Sequence, residues 1–208
     1  MMDVWTRKLS LALTLLLASL WLAPAWAGDA AADPAAQQVG AFYDALLDTM
    51  KQAKELGLTG RYEKLKPAVE QTYDLALMTS LAVGTSWSTI SPGDQQALIA
   101  AFERMTIANY AMNFDGYSGE KFVVDPNVLS RGSDKVVQSK LVTSKESIPF
   151  NYRMRQSNGA WKIVDVYLNG TISELATRRS DFASTLAAGG APALIEKINE
   201  LADKLMKG

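Results

Sequence analysis

The stretch that follows residue 33 repeats apolar residues at the spacing of amphipathic helices. Asp33 followed by Pro34 is typical of a helix N-terminus, because an aspartate side chain caps free N–H groups and proline fits the first helical turn. Residues 35–56 then carry apolar side chains on one face, and Gly57 ends the pattern. Those apolar residues are Val39, Phe42, Tyr43, Leu46, Leu47 and Met50.

Three further helices are predicted before the sequence changes character. Residues 61–66 form a short helical segment, and Pro67 opens another that ends near Gly84. Ser91-Pro92 repeats the N-terminal signal of the first helix. The broad apolar stripe over residues 95–114 predicts a long helix there.

Beyond Tyr117 the pattern becomes that of β-strands. Four segments are β-branched, apolar or cleanly alternating, and Asn158-Gly159 is typical of a tight hairpin because both residues tolerate positive φ. An antiparallel sheet of about four strands with one apolar face is therefore predicted. The four segments are residues 122–129, 136–143, 148–155 and 161–168.

Two helices are predicted at the end of the chain. The first covers residues 173–186 and ends at Gly189-Gly190, and Pro192 opens the second. Helices, then a meander, then helices predict an α+β fold. In it, the N-terminal helices pack on one face of a curved antiparallel sheet, and the two C-terminal helices follow.

The first 27 residues have the features of a cleaved secretory signal peptide. Arg7 and Lys8 precede an apolar run over residues 9–22, and Ala25-Trp26-Ala27 presents small residues to a signal peptidase. The run is shorter than the ~20 residues that a membrane-spanning helix needs. We therefore expect cleavage after residue 27, export to the periplasm and one domain over residues 28–208. An uncleaved membrane anchor is the alternative.

The chain of 208 residues contains no cysteine and no histidine. Without cysteine there are no disulfides and no lipoprotein-type lipid anchor. Without histidine the commonest general base and metal ligand are missing, which argues against an enzyme and against structural zinc. Lys and Arg number 21 against 22 Asp and Glu, a balance that argues against a nucleic-acid partner. We expect no cofactor, no metal and no catalytic residue.

Two patterns nevertheless have the form of catalytic motifs. Ser118 and Lys121 match the Ser-x-x-Lys motif of penicillin-recognising enzymes, but they lie where a helix ends and a strand begins, and the companion motifs are missing. A turn is the favoured interpretation. Asp44 and Asp48 stand one helical turn apart, yet they lie opposite the apolar stripe and are interpreted as solvated surface.

Apolar residues of the long helix and the sheet are candidates for lining a pocket. Periodicity is the same for a solid core and a hollow one, so the residues alone leave both possibilities open. Methionine is common where a surface must adapt to the shape of a ligand. The candidate lining residues are Phe102, Met105, Tyr110, Met112, Phe150, Tyr152, Met154, Val164 and Val166.

Arg178 and Arg179 form a basic pair on the first of the two C-terminal helices. Guanidinium groups bind phosphate through bidentate hydrogen bonds, so the pair is a candidate head-group site. The alternative is a surface pair, or an internal salt bridge to Asp181 or Asp165.

Three groups of residues form the most distinctive pattern in the chain. They are Tyr73-Asp74 with residues 83–87 (Val-Gly-Thr-Ser-Trp); Phe102 and Tyr110 with residues 117–121; and residues 161–165 with Gly170, Ser173 and residues 179–182. In this order and spacing, residues 38–205 resemble the MlaC-type family of periplasmic lipid-binding proteins, also known from toluene-tolerance systems. Residues 170–173 (Gly-Thr-Ile-Ser), one residue longer than the Gly-Val-Ser usual in that family, are similar to the hopanoid-associated HpnM branch.

This resemblance implies a non-enzymatic carrier that sequesters a phospholipid or a hopanoid and shuttles it between the inner and outer membranes. The candidate lining residues would enclose the lipid chains, and Arg178 and Arg179 would lie at the mouth. The implied partners are an inner-membrane transporter and an outer-membrane lipoprotein complex, and we expect a monomer. One alternative is a periplasmic adaptor or scaffold with a solid core. The other is a hydrolase that uses Ser118 and Lys121 or an acidic pair.

Overall fold

The computed structural model describes residues 32–208. The predicted signal peptide lies outside these described residues. Within them, no helix combines the length and the hydropathy needed to cross a membrane.

The N-terminal half is helical, as predicted. The Asp33 carboxylate accepts a hydrogen bond from the Ala35 N–H at 2.9 Å, and Ser91 Oγ accepts one from the Asp94 N–H at 3.2 Å. Both predicted N-terminal caps are therefore present. The elements are α1 (Pro34–Lys51), α2 (Ala53–Thr72), α3 (Leu75–Val83), a 3-10 segment (Gly84–Thr89) and α4 (Pro92–Asn113).

The helix predicted from Pro67 to Gly84 is wrong in two respects. Pro67 lies inside α2 instead of opening a helix, and Tyr73 adopts an extended conformation (φ −100°, ψ 146°) that ends α2. Tyr73 pairs with Ile163 as an isolated bridge, and the Asp74 N–H donates to the Ile163 carbonyl at 2.9 Å. Pairing with the sheet thus overrides the helical spacing, and the Asp74 carboxylate starts α3 by accepting from the Leu77 N–H at 3.0 Å.

The strands form an antiparallel sheet in the order β1-β3-β4-β5-β6, with β2 also paired to β3. The sheet has six strands within the described residues instead of about four. One reason is that the predicted strand over residues 122–129 is interrupted around Pro126, which has no N–H for the ladder. The strands are β1 (Lys121–Val124), β2 (Leu129–Arg131), β3 (Asp134–Val142), β4 (Ser147–Ser157), β5 (Ala160–Leu168) and β6 (Ile172–Ser173).

The predicted tight turn between β4 and β5 is confirmed. Asn158 and Gly159 both have positive φ, 49° and 82°. Further along the β4–β5 pair, the register of paired residues shifts between Arg153 and Met154. This shift is a β-bulge. The bulge changes which face the following residues of β5 occupy.

The two predicted C-terminal helices are present and meet at a kink within α5 (Glu174–Leu205). Gly190 interrupts the helical geometry with φ 66° and ψ −160°, two residues before Pro192. Phe182 lies in the first half of α5 and is fully buried, with its ring edge-to-face against Phe102 of α4 at 6.3 Å between centroids. The first half is therefore packed against α4.

A buried carboxylate connects β5 to the beginning of α5. Asp165 is 3% exposed and accepts hydrogen bonds from Ser173 Oγ at 2.7 Å and from the Leu175 N–H at 3.1 Å. Ser173 Oγ in turn accepts from the Ala176 N–H at 3.0 Å. Free N–H groups in the first turn of α5 are thus satisfied from the sheet, which fixes where the helix begins.

We expect Asp165→Ala to lower the free energy of unfolding by about 2 kcal/mol, because buried donors lose their acceptor. Urea unfolding followed by circular dichroism measures the change. Asp181→Ala is the matched control, since Asp181 is exposed on the same helix, and its effect should stay within about 0.5 kcal/mol. Equal effects of the two substitutions would contradict the anchoring role of Asp165.

Candidate functional site

A cavity of about 390 Å³ lies between α4, the sheet and the first turn of α5. On α4 its lining follows one stripe at helical spacing, and on β4 and β5 it consists of alternate residues. The lining residues are Tyr43, Tyr73, Met78, Phe102, Met105, Thr106, Asn109, Tyr110, Asn113, Phe114, Phe122, Phe150, Tyr152, Val166, Leu168, Glu174, Leu175 and Arg178.

The wall formed by the sheet is set by strand register. Tyr152 of β4 pairs with Val166 of β5, and Phe150 pairs with Leu168. Directly paired residues point to the same face of a sheet, so these four side chains form one apolar surface. Phe150 and Leu168 are half-buried, whereas Tyr152 is 2% exposed, so the cavity deepens from the Phe150–Leu168 pair to the Tyr152–Val166 pair.

Aromatic rings form the deep end of the cavity. Tyr43 stacks on Phe122 at 4.3 Å between centroids and meets Tyr152 edge-on at 5.8 Å. Behind them, Phe42 contacts Tyr73 and Tyr110 edge-to-face at 5.5 and 5.2 Å. Rings held in this way from three directions are rigid, so the deep end keeps its shape.

The hydroxyl groups of the deep tyrosines bond to one another and to β3. Ser139 Oγ donates to the Phe150 carbonyl at 2.5 Å, which leaves Tyr43 as the donor in its 2.6 Å contact with Ser139. The hydroxyls of Tyr73 and Tyr110 are also paired. The hydroxyls of Tyr43, Tyr73 and Tyr110 thus have partners inside the protein, which makes their burial tolerable.

These tyrosines remain uncharged over a wide pH range. Burial raises the pKa of Tyr43 to about 12, and burial likewise raises the pKa values of Tyr73, Tyr110 and Tyr152 well above the ordinary value of 10.0. The deep end of the cavity therefore presents apolar rings and neutral hydroxyls.

The mouth of the cavity is polar. Asn109 and Asn113 are exposed on α4, and the Asn113 amide donates to the Asn109 carbonyl at 2.8 Å. Across the opening, on α5, Glu174 and Arg178 form an ion pair with 3.6 Å between Oε2 and Nη2. A polar rim around an apolar interior is the usual layout of a site for an amphipathic ligand.

Most of the candidate lining residues lie on the cavity wall. Met112, Met154 and Val164 do not. Met112 is off the stripe of α4 that contains Tyr110 and Asn113, and Met154 belongs to the core with 0% exposure. Val164 is the unpaired residue of the bulge, because Val166 pairs with Tyr152 and Ile163 pairs with Met154. The residues on the wall are Phe102, Met105, Tyr110, Phe150, Tyr152 and Val166.

The two arginines differ in position although they are adjacent in sequence. Arg178 lines the mouth, whereas Arg179 lies outside the cavity lining and against Gly84. Gly84 has a φ of 74°, a backbone conformation that favours glycine, and a Cβ there would come within 2.9 Å of Arg179 Nη2. Of the predicted internal salt bridges, Arg178 makes the one to Asp181, at 3.9 Å.

Several lining residues were missed by the sequence analysis. Tyr43 belongs to the apolar stripe predicted for the first helix and Tyr73 to a predicted continuous helix, and neither pattern indicates a pocket. Glu174 precedes the candidate arginines by one helical turn, and an i,i+4 charge pair was the available signal. Leu168 and Phe122 lie on predicted strands whose inward face could not be chosen from the sequence.

The two catalytic-looking patterns do not form sites. Ser118 lies in a turn, as predicted, where its backbone N–H donates to Glu120 Oε2 at 2.5 Å, and Lys121 begins β1. Asp44 and Asp48 are exposed, and Asp48 pairs with Lys64 at 2.7 Å. Within residues 32–208 no group of three or more acidic, cysteine or histidine residues is placed to hold a metal ion.

Comparison with known proteins identifies a matching family model and a solved structure with a similar fold. The model of the family described as MlaC protein matches residues 41–200. The phospholipid-binding protein from Ralstonia solanacearum, solved in complex with a phospholipid, has a similar fold, with a TM-score of 0.74 and 23% sequence identity. The match covers 83% of this chain and 99% of that protein. No curated protein shows significant similarity to the chain.

The buried tyrosines predict a cooperative alkaline transition. The raised pKa of Tyr43 stabilises the fold, because the folded state retains the phenol proton longer than the unfolded chain. This contribution is fully present below the unfolded pKa of 10.0 and is lost as pH rises through about 12. Tyrosinate absorbance should therefore rise in the same step in which circular dichroism reports loss of the fold. Ionisation of the buried tyrosines before that loss would contradict their assigned environment.

Two variants sharpen this test. Tyr43→Phe should reduce the number of protons released in the cooperative step and lower stability at neutral pH by about 1 kcal/mol, since one hydrogen bond is lost. Tyr117→Phe removes a phenol that is 44% exposed and should leave the cooperative step unchanged.

Proposed function

The chain belongs to the MlaC protein family, and on that premise we propose that it is a non-enzymatic periplasmic carrier that binds one lipid in the cavity beneath α4 and α5. The observation that carries this proposal is the cavity itself. It is apolar and uncharged in its depth, polar at its mouth, and open between elements that the fold holds rigidly.

The size of the cavity suits the greater part of one lipid chain. A methylene group occupies about the same volume as a water molecule, ~30 Å³. The 390 Å³ of the cavity therefore has room for about a dozen methylene groups. Each buried methylene contributes ~0.8 kcal/mol, so ten of them supply ~8 kcal/mol before the costs of ordering the ligand. Before those costs are subtracted, this gain corresponds to a micromolar Kd.

The nature of the lining favours a carrier over the two alternatives. A scaffold with a solid core would fill the space that the tyrosines and Phe122 leave open. A hydrolase needs a nucleophile next to a base, whereas the deep hydroxyls are protonated phenols with raised pKa values.

A phospholipid is the ligand class that we propose first. It is the ligand of the Ralstonia solanacearum protein, whose fold this chain shares over 83% of its length. A hopanoid is the second candidate, because residues 170–173 are similar to the hopanoid-associated branch of the family. Either lipid would place its apolar part against Tyr152 and Val166 and its polar part near Asn109 and Arg178.

A carrier of this kind shuttles its lipid between the inner and outer membranes. We propose an inner-membrane transporter and an outer-membrane lipoprotein complex as its docking partners. The predicted signal peptide over residues 1–27 would deliver the chain to the periplasm, where a lipid needs such shielding from water.

Lipid extraction followed by mass spectrometry tests the proposal. The mature chain, expressed with its own signal sequence and purified from periplasm without detergent, should contain stoichiometric phospholipid or hopanoid. Protein that stays free of lipid, even after incubation with native membranes, would favour the scaffold.

A charge in the cavity wall should prevent loading. Leu168→Asp places a carboxylate against the bound chains, and we expect at least a fivefold loss of bound lipid because burying a charge is costly. Val123→Asp is the control, since Val123 is 43% exposed on β1 and outside the lining. Equal lipid content in the two folded variants would show that the cavity is not the binding site.

A further inference from the structure

The charged residues at the cavity mouth are few and oppositely charged. Within the described part of the chain, Glu174 and Arg178 are the only charged residues that line the cavity. They stand one turn apart on α5 and form the 3.6 Å ion pair described above. Their side chains are 29% and 27% exposed, so solvent screens them only in part.

Glu174 is directed towards the cavity. It lines the same cavity as Tyr110, whose pKa is raised mainly by burial and to a smaller extent by the negative charge of Glu174. The Asp165 anchor fixes the first turn of α5 and therefore the position of Glu174. A ligand head group at the mouth would meet a carboxylate as well as a guanidinium.

Arg178 is already balanced by negative charge. Besides Glu174, it lies 3.9 Å from Asp181, which is half-exposed and outside the lining. An anionic head group whose only charge is a phosphate would compete with both carboxylates for this one guanidinium. It would also leave Glu174 close to the phosphate, where like charges repel.

A zwitterionic head group avoids both penalties. Its phosphate pairs with Arg178, and its ammonium group pairs with Glu174, so each charge keeps an opposite neighbour. The amides of Asn109 and Asn113 across the mouth add hydrogen-bonding capacity without adding charge.

We propose that the Glu174–Arg178 pair selects lipids with a zwitterionic phosphate–ammonium head group over lipids with an anionic one. This inference rests on the proposed carrier function and adds to it a head-group preference and the residues that determine it. The apolar cavity supplies most of the affinity, and the ion pair at its mouth supplies the selection.

A competition between two lipids tests the inference. The lipid-free mature protein is incubated with vesicles of equal phosphatidylethanolamine and phosphatidylglycerol with identical acyl chains, separated from them, and its bound lipid is quantified by mass spectrometry. Because the chains are the same, their contribution cancels. We expect phosphatidylethanolamine to be enriched about three- to fivefold, the scale of partly exposed charge pairs.

Substitution of each partner separates the roles. Glu174→Gln removes the partner of the ammonium group and frees Arg178, so the enrichment should disappear or invert. Arg178→Gln removes the phosphate partner from both lipids and leaves Glu174 to attract the ammonium group, so the enrichment should persist while the total amount of bound lipid falls. Arg179→Gln is the matched control, since it removes the same charge at the next residue, outside the cavity lining, and should leave the ratio unchanged.

The outcomes distinguish this inference from the proposed function. Equal uptake of the two lipids, enrichment of phosphatidylglycerol, or an unchanged ratio in folded Glu174→Gln would overturn the head-group selection while leaving a lipid carrier. Absence of both lipids from the unaltered protein would overturn the carrier function itself. Thermal unfolding of each variant confirms that the protein compared is folded.

Discussion

The hydrogen bonds between Asp165 and the first turn of α5 are the contact on which the geometry of the site depends. They join the edge of the cavity formed by β5 to the helix that carries Glu174, Leu175 and Arg178. A buried carboxylate is costly unless its partners are satisfied, and here a hydroxyl and backbone N–H groups satisfy it. The position of the mouth is therefore fixed by the strand and not by the loop that precedes the helix.

The hollow beneath this helix persists because its walls are stiff. Aromatic rings have few rotatable bonds, and Phe42, Tyr43 and Tyr110 are braced edge-to-face or stacked against neighbours from other elements. The hydroxyls of Tyr43 and Tyr110 are paired, so closing the space would break hydrogen bonds without making better ones. A cavity lined with aliphatic side chains would lack this resistance to collapse.

The sequence allows the architecture to be predicted because its signals are local. The caps at Asp33 and Ser91 and the hairpin at Asn158-Gly159 depend on neighbouring residues alone, and all three are present. The break at Tyr73 depends on a distant partner, Ile163, which helical spacing does not reveal.

The site is harder to predict because register and hollowness are both non-local properties. Alternation along β4 predicts the face of Phe150 and Tyr152 correctly. Met154 is part of the filled core and not of the cavity wall, and the bulge after Arg153 leaves Val164 without a partner on β4. For the same reason a buried tyrosine of α1 cannot be assigned to a core or to a cavity wall from its spacing. That distinction depends on the distance between α1 and the layer opposite it, and the packing of α4 and α5 determines this distance.

The interruption of the sheet at Pro126 has a consequence for the behaviour of the protein at high concentration. One border of the sheet is divided between β1 and β2. The other consists of the two-residue β6 and the rest of β5, whose edge is occupied at Ile163 by the bridge to Tyr73. Neither border offers a long uninterrupted row of free N–H and C=O groups, so strand addition by a neighbouring molecule finds little template. The fold is thereby protected against edge-to-edge aggregation and fibre formation, a useful property for a protein that exposes apolar surface whenever its cavity is empty.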